Sequence, residues 1–191
     1  APIVVNFDRA VDPATLSGLS FNVFGRASGD VPGARTLSPD GKTVTFTPSR
    51  VYAAGELVTL MISHDLKALD GSPMRSAGYC AQFWVRTSPA SGGLSVLMTL
   101  TTNQVGESSR PYGGLATDLN NDGWVDLATT NEDTNDLRNF LNKADGTGQF
   151  NPFLVPPMPL AGVPSPADSA DFNHDGKVDL CVANTVGGKV S

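Results

Sequence analysis

Apolar and polar residues alternate with a period of two along the first half of the chain. In KTVTFTP (42–48), Val44 and Phe46 fall on one face and Thr43, Thr45 and Thr47 on the other, the signature of a half-buried strand. PIVVNF (2–7) is apolar and β-branched. LSFNVFG (19–25) puts Leu19, Phe21 and Val23 on one parity, with Phe24 out of step. ELVTLMIS (56–63) and YCAQFWVRT (79–87) read as further strands, and Phe83 and Trp84 are expected in the core. SPDG (38–41) and the Asp-Gly pair in ALDGSPM (68–74) are turn chemistry, because Pro fixes φ and Gly tolerates positive φ. Short strands at this density, with no period of 3.6, predict a β-sandwich over residues 1–88.

SPASGG (88–93) is a linker by composition, with the break placed at 89–93. From residue 94 to 191 the chain repeats with a period of 53. Laying 111–138 over 164–191 matches Pro111 with Pro164, Asp118 with Asp171, Asn120 with Asn173 and Asp122 with Asp175. Gly123 then matches Gly176, Val125 Val178, Asp126 Asp179, Leu127 Leu180 and Asn131 Asn184. Strand-and-turn content at this period predicts propeller-type blades. Residues 94–191 hold fewer than two full periods, so the segment reads as an incomplete propeller of about two blades. GGLSVLM (92–98) and LRNFLN (137–142) are expected as blade-closing strands, and the Pro-rich stretch 151–166 as the connection between blades. Two arrangements accommodate the incompleteness. The chain is a fragment of a longer protein, or residues 94–98 of one copy complete the last blade of another in a homo-oligomer; the start without Met is expected of either a processed form or a fragment.

Composition narrows the function. The chain is 40% hydrophobic and 17% charged, with 20 Gly and 14 Pro, which suits a turn-rich all-β protein. No apolar run approaches the roughly 20 residues of a membrane helix, so no membrane insertion is expected. No Lys/Arg cluster points to nucleic acid. The formal net charge is −6, and the loops 118–126 and 171–179 contain six Asp between them. The rest of the chain is balanced, so the acidity is local and argues for a bound cation.

The spacing of those acids fits calcium. A hard divalent ion takes six to eight oxygens at roughly 2.3–2.6 Å. Positions 1, 3 and 5 supply side-chain oxygens: Asp118, Asn120 and Asp122 in one loop, Asp171, Asn173 and Asp175 in the other. Position 6, Gly123 or Gly176, makes the sharp turn. Position 7 gives a backbone carbonyl, so its side chain varies between Trp124 and Lys177, and position 9, Asp126 or Asp179, closes the site. An EF-hand would need Glu at position 12, where this chain has Thr129 or Val182. Three carboxylates per loop repel one another without an ion; with Ca²⁺ each site is near −1. The neutral residue at position 3 favours modest affinity, on the order of 10⁻⁴–10⁻³ M as in extracellular modules, and Mg²⁺ fits poorly because it prefers rigid octahedral geometry. Two structural Ca²⁺ ions are expected, stabilising the fold by binding the native loops. Asp, Asn and Gly also favour plain turns, but oxygens at 1, 3, 5 and 9 with Gly at 6, twice, exceed turn preference.

Little points to catalysis. His64, after a strand, and His174, at position 4 of the second loop, read as solvated turn residues. There is no GxSxG phrase, no zinc spacing and no phosphate cradle. Trp124 is either packed between blades or exposed to a partner or sugar. Cys80 and Cys181 are expected as buried free thiols, the alternative being an inter-domain disulfide.

The phrases PIVVNFDRAVDPATL, SPDGKTVTFTPSRVYAAGELVTLMIS and LKALDGSPM resemble the bacterial Ig-like domain of the S-layer SbsA type over about the first 88 residues. ATDLNNDGWVDLATTN, LRNFLN and DGTGQF (145–150) resemble the FG-GAP/VCBS repeats, relatives of the integrin α-chain propeller. These resemblances imply an extracellular or cell-surface bacterial module with a non-catalytic spacer and hairpin calcium loops. Its roles would be adhesion, surface architecture or an accessory part of a secreted protein, with a protein or carbohydrate ligand at the cell surface. The competing expectation is an extracellular metal-dependent hydrolase with an open site at the Asp-rich loops.

Overall fold

Val44 and Phe46, the apolar face of the clearest alternating strand, are fully buried. They lie in the computed structural model, which describes every residue of the chain except Ser76, His174 and Gly176. The expected position-6 role of Gly176 and the solvated His174 therefore lie outside the described residues. The chain divides into two units, residues 1–26 with 30–87, and residues 27–29 with 88–191. Both are all-β, and among the described residues no helix is long and apolar enough to cross a membrane.

Residues 1–87 contain β1 (Ile3–Asn6), β2 (Phe21–Gly25), β3 (Gly29–Asp30), β4 (Gly33–Leu37), β5 (Thr43–Pro48), β6 (Leu57–Ile62) and β7 (Tyr79–Trp84). They form two antiparallel sheets, β1-β5-β4 and β3-β2-β6-β7. Register follows the apolar pattern, with Ile3 opposite Phe46 and Val23 opposite Leu60. One core unites the sheets: Val44 and Phe46 from β5, Phe21 and Val23 from β2, Val58, Leu60 and Ile62 from β6, with Val11 and Leu66 from loops. Each such side chain contributes on the order of 1.5–3 kcal/mol through burial. Asp12 N-caps the 3-10 turn Pro13–Thr15, its side chain accepting the Ala14 N–H at 3.0 Å with Pro13 at N1.

Four expectations change here. β4, GARTL, was not foreseen because its single large apolar residue gives no alternation. β2 is buried along its whole length, Asn22 and Phe24 included, because β3 and β6 flank it inside a sheet. Phe83 and Trp84 are not core; they are 39% and 70% exposed. Among the described residues β7 is paired only with β6, an edge strand; Ala81 within it and Val85 just after it pack against the core. Cys80, on the same edge, is exposed and Cys181 only partly covered; both thiols are free, so neither is the fully buried thiol expected.

In the second unit, β8 (Pro111–Thr117), β9 (Asp126–Asn131), β10 (Asp136–Phe140) and β11 (Met158–Pro159) form a meander sheet ordered β11-β10-β9-β8. The strands β12 (Pro164–Ala170), β13 (Asp179–Asn184) and β14 (Lys189–Val190) form a second sheet in the order β12-β13-β14. The 53-residue offset maps β8 onto β12 and β9 onto β13 end to end. The repeated Pro and Asn explain themselves: Pro111 pairs with Asn131 and Pro164 with Asn184, each pairing followed by a register shift. Both asparagines are buried and donate from Nδ2 to the carbonyl two residues back, Thr129 at 3.3 Å and Val182 at 3.2 Å. Ala128, Leu137 and Val182 form the core shared by the two sheets. The described strands close no propeller. Residues 92–98 carry no strand, and Leu94 and Val96 are exposed, so the blade-closing strand expected there is absent.

Arg138, on β10, is fully buried. Its guanidinium donates to Asp136 from Nε (3.0 and 3.1 Å) and Nη2 (2.7 Å), to Glu107 Oε2 at 2.9 Å and to the Thr102 carbonyl, and stacks 4.8 Å over the Phe153 ring. It pins segment 102–107 to the first repeat.

Candidate metal centre

Each acidic loop enters from one strand and leaves into the next, β8 to β9 and β12 to β13. Chain reversal is local. Asn121 (φ 58°) and Gly123 (φ 93°) take left-handed conformations in the first loop, which Asn tolerates and Gly adopts freely.

The two loops share one hydrogen-bond pattern. Position 1 accepts the position-5 N–H: Asp118 Oδ1 from Asp122 at 3.0 Å, Asp171 Oδ1 from Asp175 at 3.1 Å. Position 3 accepts the same N–H: Asn120 at 3.1 Å, Asn173 at 2.9 Å. Position 5 accepts the position-7 N–H: Asp122 from Trp124 at 2.8 Å, Asp175 from Lys177 at 2.9 Å. Position 9 reaches back to position 2: Asp126 Oδ2 accepts from Leu119, and Asp179 Oδ2 from Phe172, both at 2.9 Å. All ten residues expected at the sites therefore lie on these two loops.

Positions 1 and 9 are the inner ones. Asp118 and Asp171 are buried, as is Asp126, while Asp179 is half-buried. Positions 3, 5 and 7 are exposed, and Trp124, at 40% exposure, is open to solvent rather than enclosed. Burial pushes the Asp126 carboxyl up; backbone N–H bonds from Asn142 and Leu119 oppose this, and the charges of Asp122 and Asp118 add to it.

Among the described residues, no group of three or more His, Cys, Asp or Glu side chains is arranged to hold a metal ion as it stands. The carboxylates are turned onto backbone amides. The donor set nevertheless suits a hard cation. Every side chain offers oxygen, each carboxylate oxygen keeps a lone pair beyond its amide bond, and Asp126 is raised by burial and by its acidic neighbours, the situation a divalent ion relieves.

Two residues that shape this region escaped the sequence. Asn142 donates its backbone N–H to Asp126 Oδ1 at 2.8 Å from outside the loop. Arg138 is the other; its only sequence signal was an acid two residues earlier on the same strand face. His64 stands exposed in a turn as expected.

Family models match the chain in two places: a bacterial Ig-like domain over residues 1–85 and an FG-GAP-like repeat over 118–182. The chain thus resembles a bacterial Ig-like domain followed by an FG-GAP-like repeat. The FG-GAP-like match begins at Asp118 and takes in both acidic loops, and the Ig-like match takes in β1 to β7. Among solved structures, the N-terminal part of the bacterial S-layer protein SbsC aligns with the whole chain at 14% identity and a TM-score of 0.38. Domains 1–6 of the surface layer protein SbsC do so at the same identity and TM-score. The chain spans 39% and 32% of those two structures. No curated protein matches it.

Proposed function

We propose that the FG-GAP-like unit is a calcium-stabilised structural module and the Ig-like domain its spacer, within an exported bacterial protein at the cell surface or in a secreted assembly. The single observation that supports calcium most is the repetition: two loops 53 residues apart place oxygen side chains at positions 1, 3, 5 and 9 and wire them to the backbone through the same four types of bond. One Ca²⁺ per loop would be held by Asp118, Asn120, Asp122 and Asp126, and by Asp171, Asn173, Asp175 and Asp179, with the backbone at Trp124 and Lys177. The ion supplies charge compensation and cross-links the turn; this chain's own residues fix the loop ends to β9 and β13. The bacterial Ig-like domain supports the surface setting. A protein or carbohydrate ligand is the partner class we propose.

The test is thermal unfolding of the full chain in EDTA and in 10 mM calcium. With dissociation constants on the order of 10⁻⁴–10⁻³ M, each ion adds about 1.4–2.7 kcal/mol at that concentration. For a unit of this size that raises the melting temperature by about 10 °C or more. An unchanged melting temperature, with magnesium and calcium equivalent, would refute the proposal.

A further inference from the structure

Asp126 is fully buried, and its two oxygens face different parts of the chain. Oδ2 accepts from Leu119, inside the acidic loop, at 2.9 Å. Oδ1 accepts from Asn142, beyond the end of β10, at 2.8 Å. Asn142 is itself held on both sides: its Nδ2 donates to the Val125 carbonyl at 3.1 Å, and its Oδ1 accepts the Ala144 N–H at 3.0 Å. It also forms the base of a hairpin over residues 142–150, bridging Phe150, with the Lys143 N–H donating to the Gln149 carbonyl at 2.9 Å. At the hairpin's tip, a Cβ built on Gly146 would lie 4.0 Å from the ring of Trp124, position 7 of the loop. The hairpin thus meets the loop at its base and near its tip.

We infer that Asn142 is a positioning residue coupling loop 118–126 to the 142–150 hairpin, so that cation occupancy of the loop sets the order of the hairpin. This rests on the calcium reading above. A charged acceptor makes the stronger hydrogen bond, and burial strengthens it further. Without an ion, Asp118, Asp122 and Asp126 repel one another; any movement of Asp126 displaces the Asn142 backbone, and the Asn142 side chain, bonded to Val125 and Ala144, passes that displacement on to the hairpin. With an ion, the Asp126 carboxylate would be fixed between the loop and Asn142, and the tether to the hairpin tightens.

The experiment is amide hydrogen exchange by NMR on the ¹⁵N-labelled full chain, with and without calcium, alongside calorimetric titration of calcium. The expected result is at least about tenfold slower exchange of the Lys143 N–H in calcium. Asn142→Ala keeps the backbone bond to Asp126 but removes both side-chain bonds. It is expected to bind calcium within about threefold of the parent while losing most of that protection, and Asn142→Ser, whose hydroxyl can still accept the Ala144 N–H in place of Oδ1, to lose part of it. No calcium binding by the parent would sink the calcium reading and the coupling together. Calcium binding with no change at Lys143, or full protection in both variants, would overturn the coupling alone.

Discussion

A Cβ on Gly113 would stand 2.8 Å from the Cα of Pro166 and 2.8 Å from Thr130 Oγ1. Gly113 lies on β8 and Pro166 on β12, so the two sheets of the second unit approach so closely that a methyl group there must displace backbone. Gly113→Ala is expected to cost about 1–3 kcal/mol through overpacking. Gly114→Ala, whose Cβ would meet only the Ala128 carbonyl at 3.5 Å, is expected to cost far less. Urea unfolding of the two variants side by side checks this.

Arg138 is the only described cation whose side chain is wholly buried against Asp136 and Glu107. Removing it leaves two carboxylates facing each other without compensation. Arg138→Met is expected to cost about 3–5 kcal/mol. Arg138→Lys is not expected to restore the full value, since an ammonium cannot reproduce the forked contact with Asp136. Burial alone would raise the Asp136 carboxyl, yet hydrogen bonds from Arg138 and Asn131 hold it below the usual carboxylate range. A depressed carboxyl contributes stability above its unfolded value and loses it as pH falls through the folded one. The parent should therefore lose stability on acidification below about pH 4 more steeply than Arg138→Met, as read from melting temperature against pH.

Asp126 has the opposite sign. Its carboxyl is raised, first by burial. Its contribution to stability in EDTA is complete below the ordinary carboxylate range and is lost as pH rises through the raised folded value. A bound cation holds the group ionised and removes that loss. The stabilisation by calcium should accordingly grow as pH rises from about 4 towards neutrality, and calcium titrations followed by circular dichroism at several pH values measure it.

The misplaced aromatics provide a control on the core between the two sheets of residues 1–87. Trp84→Ser is expected within about 0.5 kcal/mol of the parent, as for an exposed site. Phe46→Ala, in the middle of the sandwich, is expected to cost about 3–5 kcal/mol. Equal losses in chemical denaturation would contradict the edge position of β7.

What could be read from the sequence was what local chemistry dictates. Val44 and Phe46 alternate with threonines, so β5 was visible. Asp118 to Asp126 and Asp171 to Asp179 recur at a fixed spacing, so both loops were visible, and the period foretold the bounds of β12 and β13 from those of β8 and β9. What failed depends on neighbours distant in sequence. Phe83 and Trp84 look like core until β7 proves to have a partner on one side only. Arg138 looks like a solvated strand residue until Glu107 and Phe153 close over it. Asn142 looks like the last residue of the closing strand 137–142, and nothing local announces that its amide ends on Asp126. Residues 92–98 have strand composition, yet form no ladder.

The most direct measurement is long-wavelength anomalous diffraction from crystals of the chain grown in 10 mM calcium. Two peaks are expected, one inside loop 118–126 and one inside loop 171–179, each ringed by oxygens at roughly 2.3–2.6 Å. Loops that keep their carboxylates on backbone amides, with no anomalous peak at either, would contradict it.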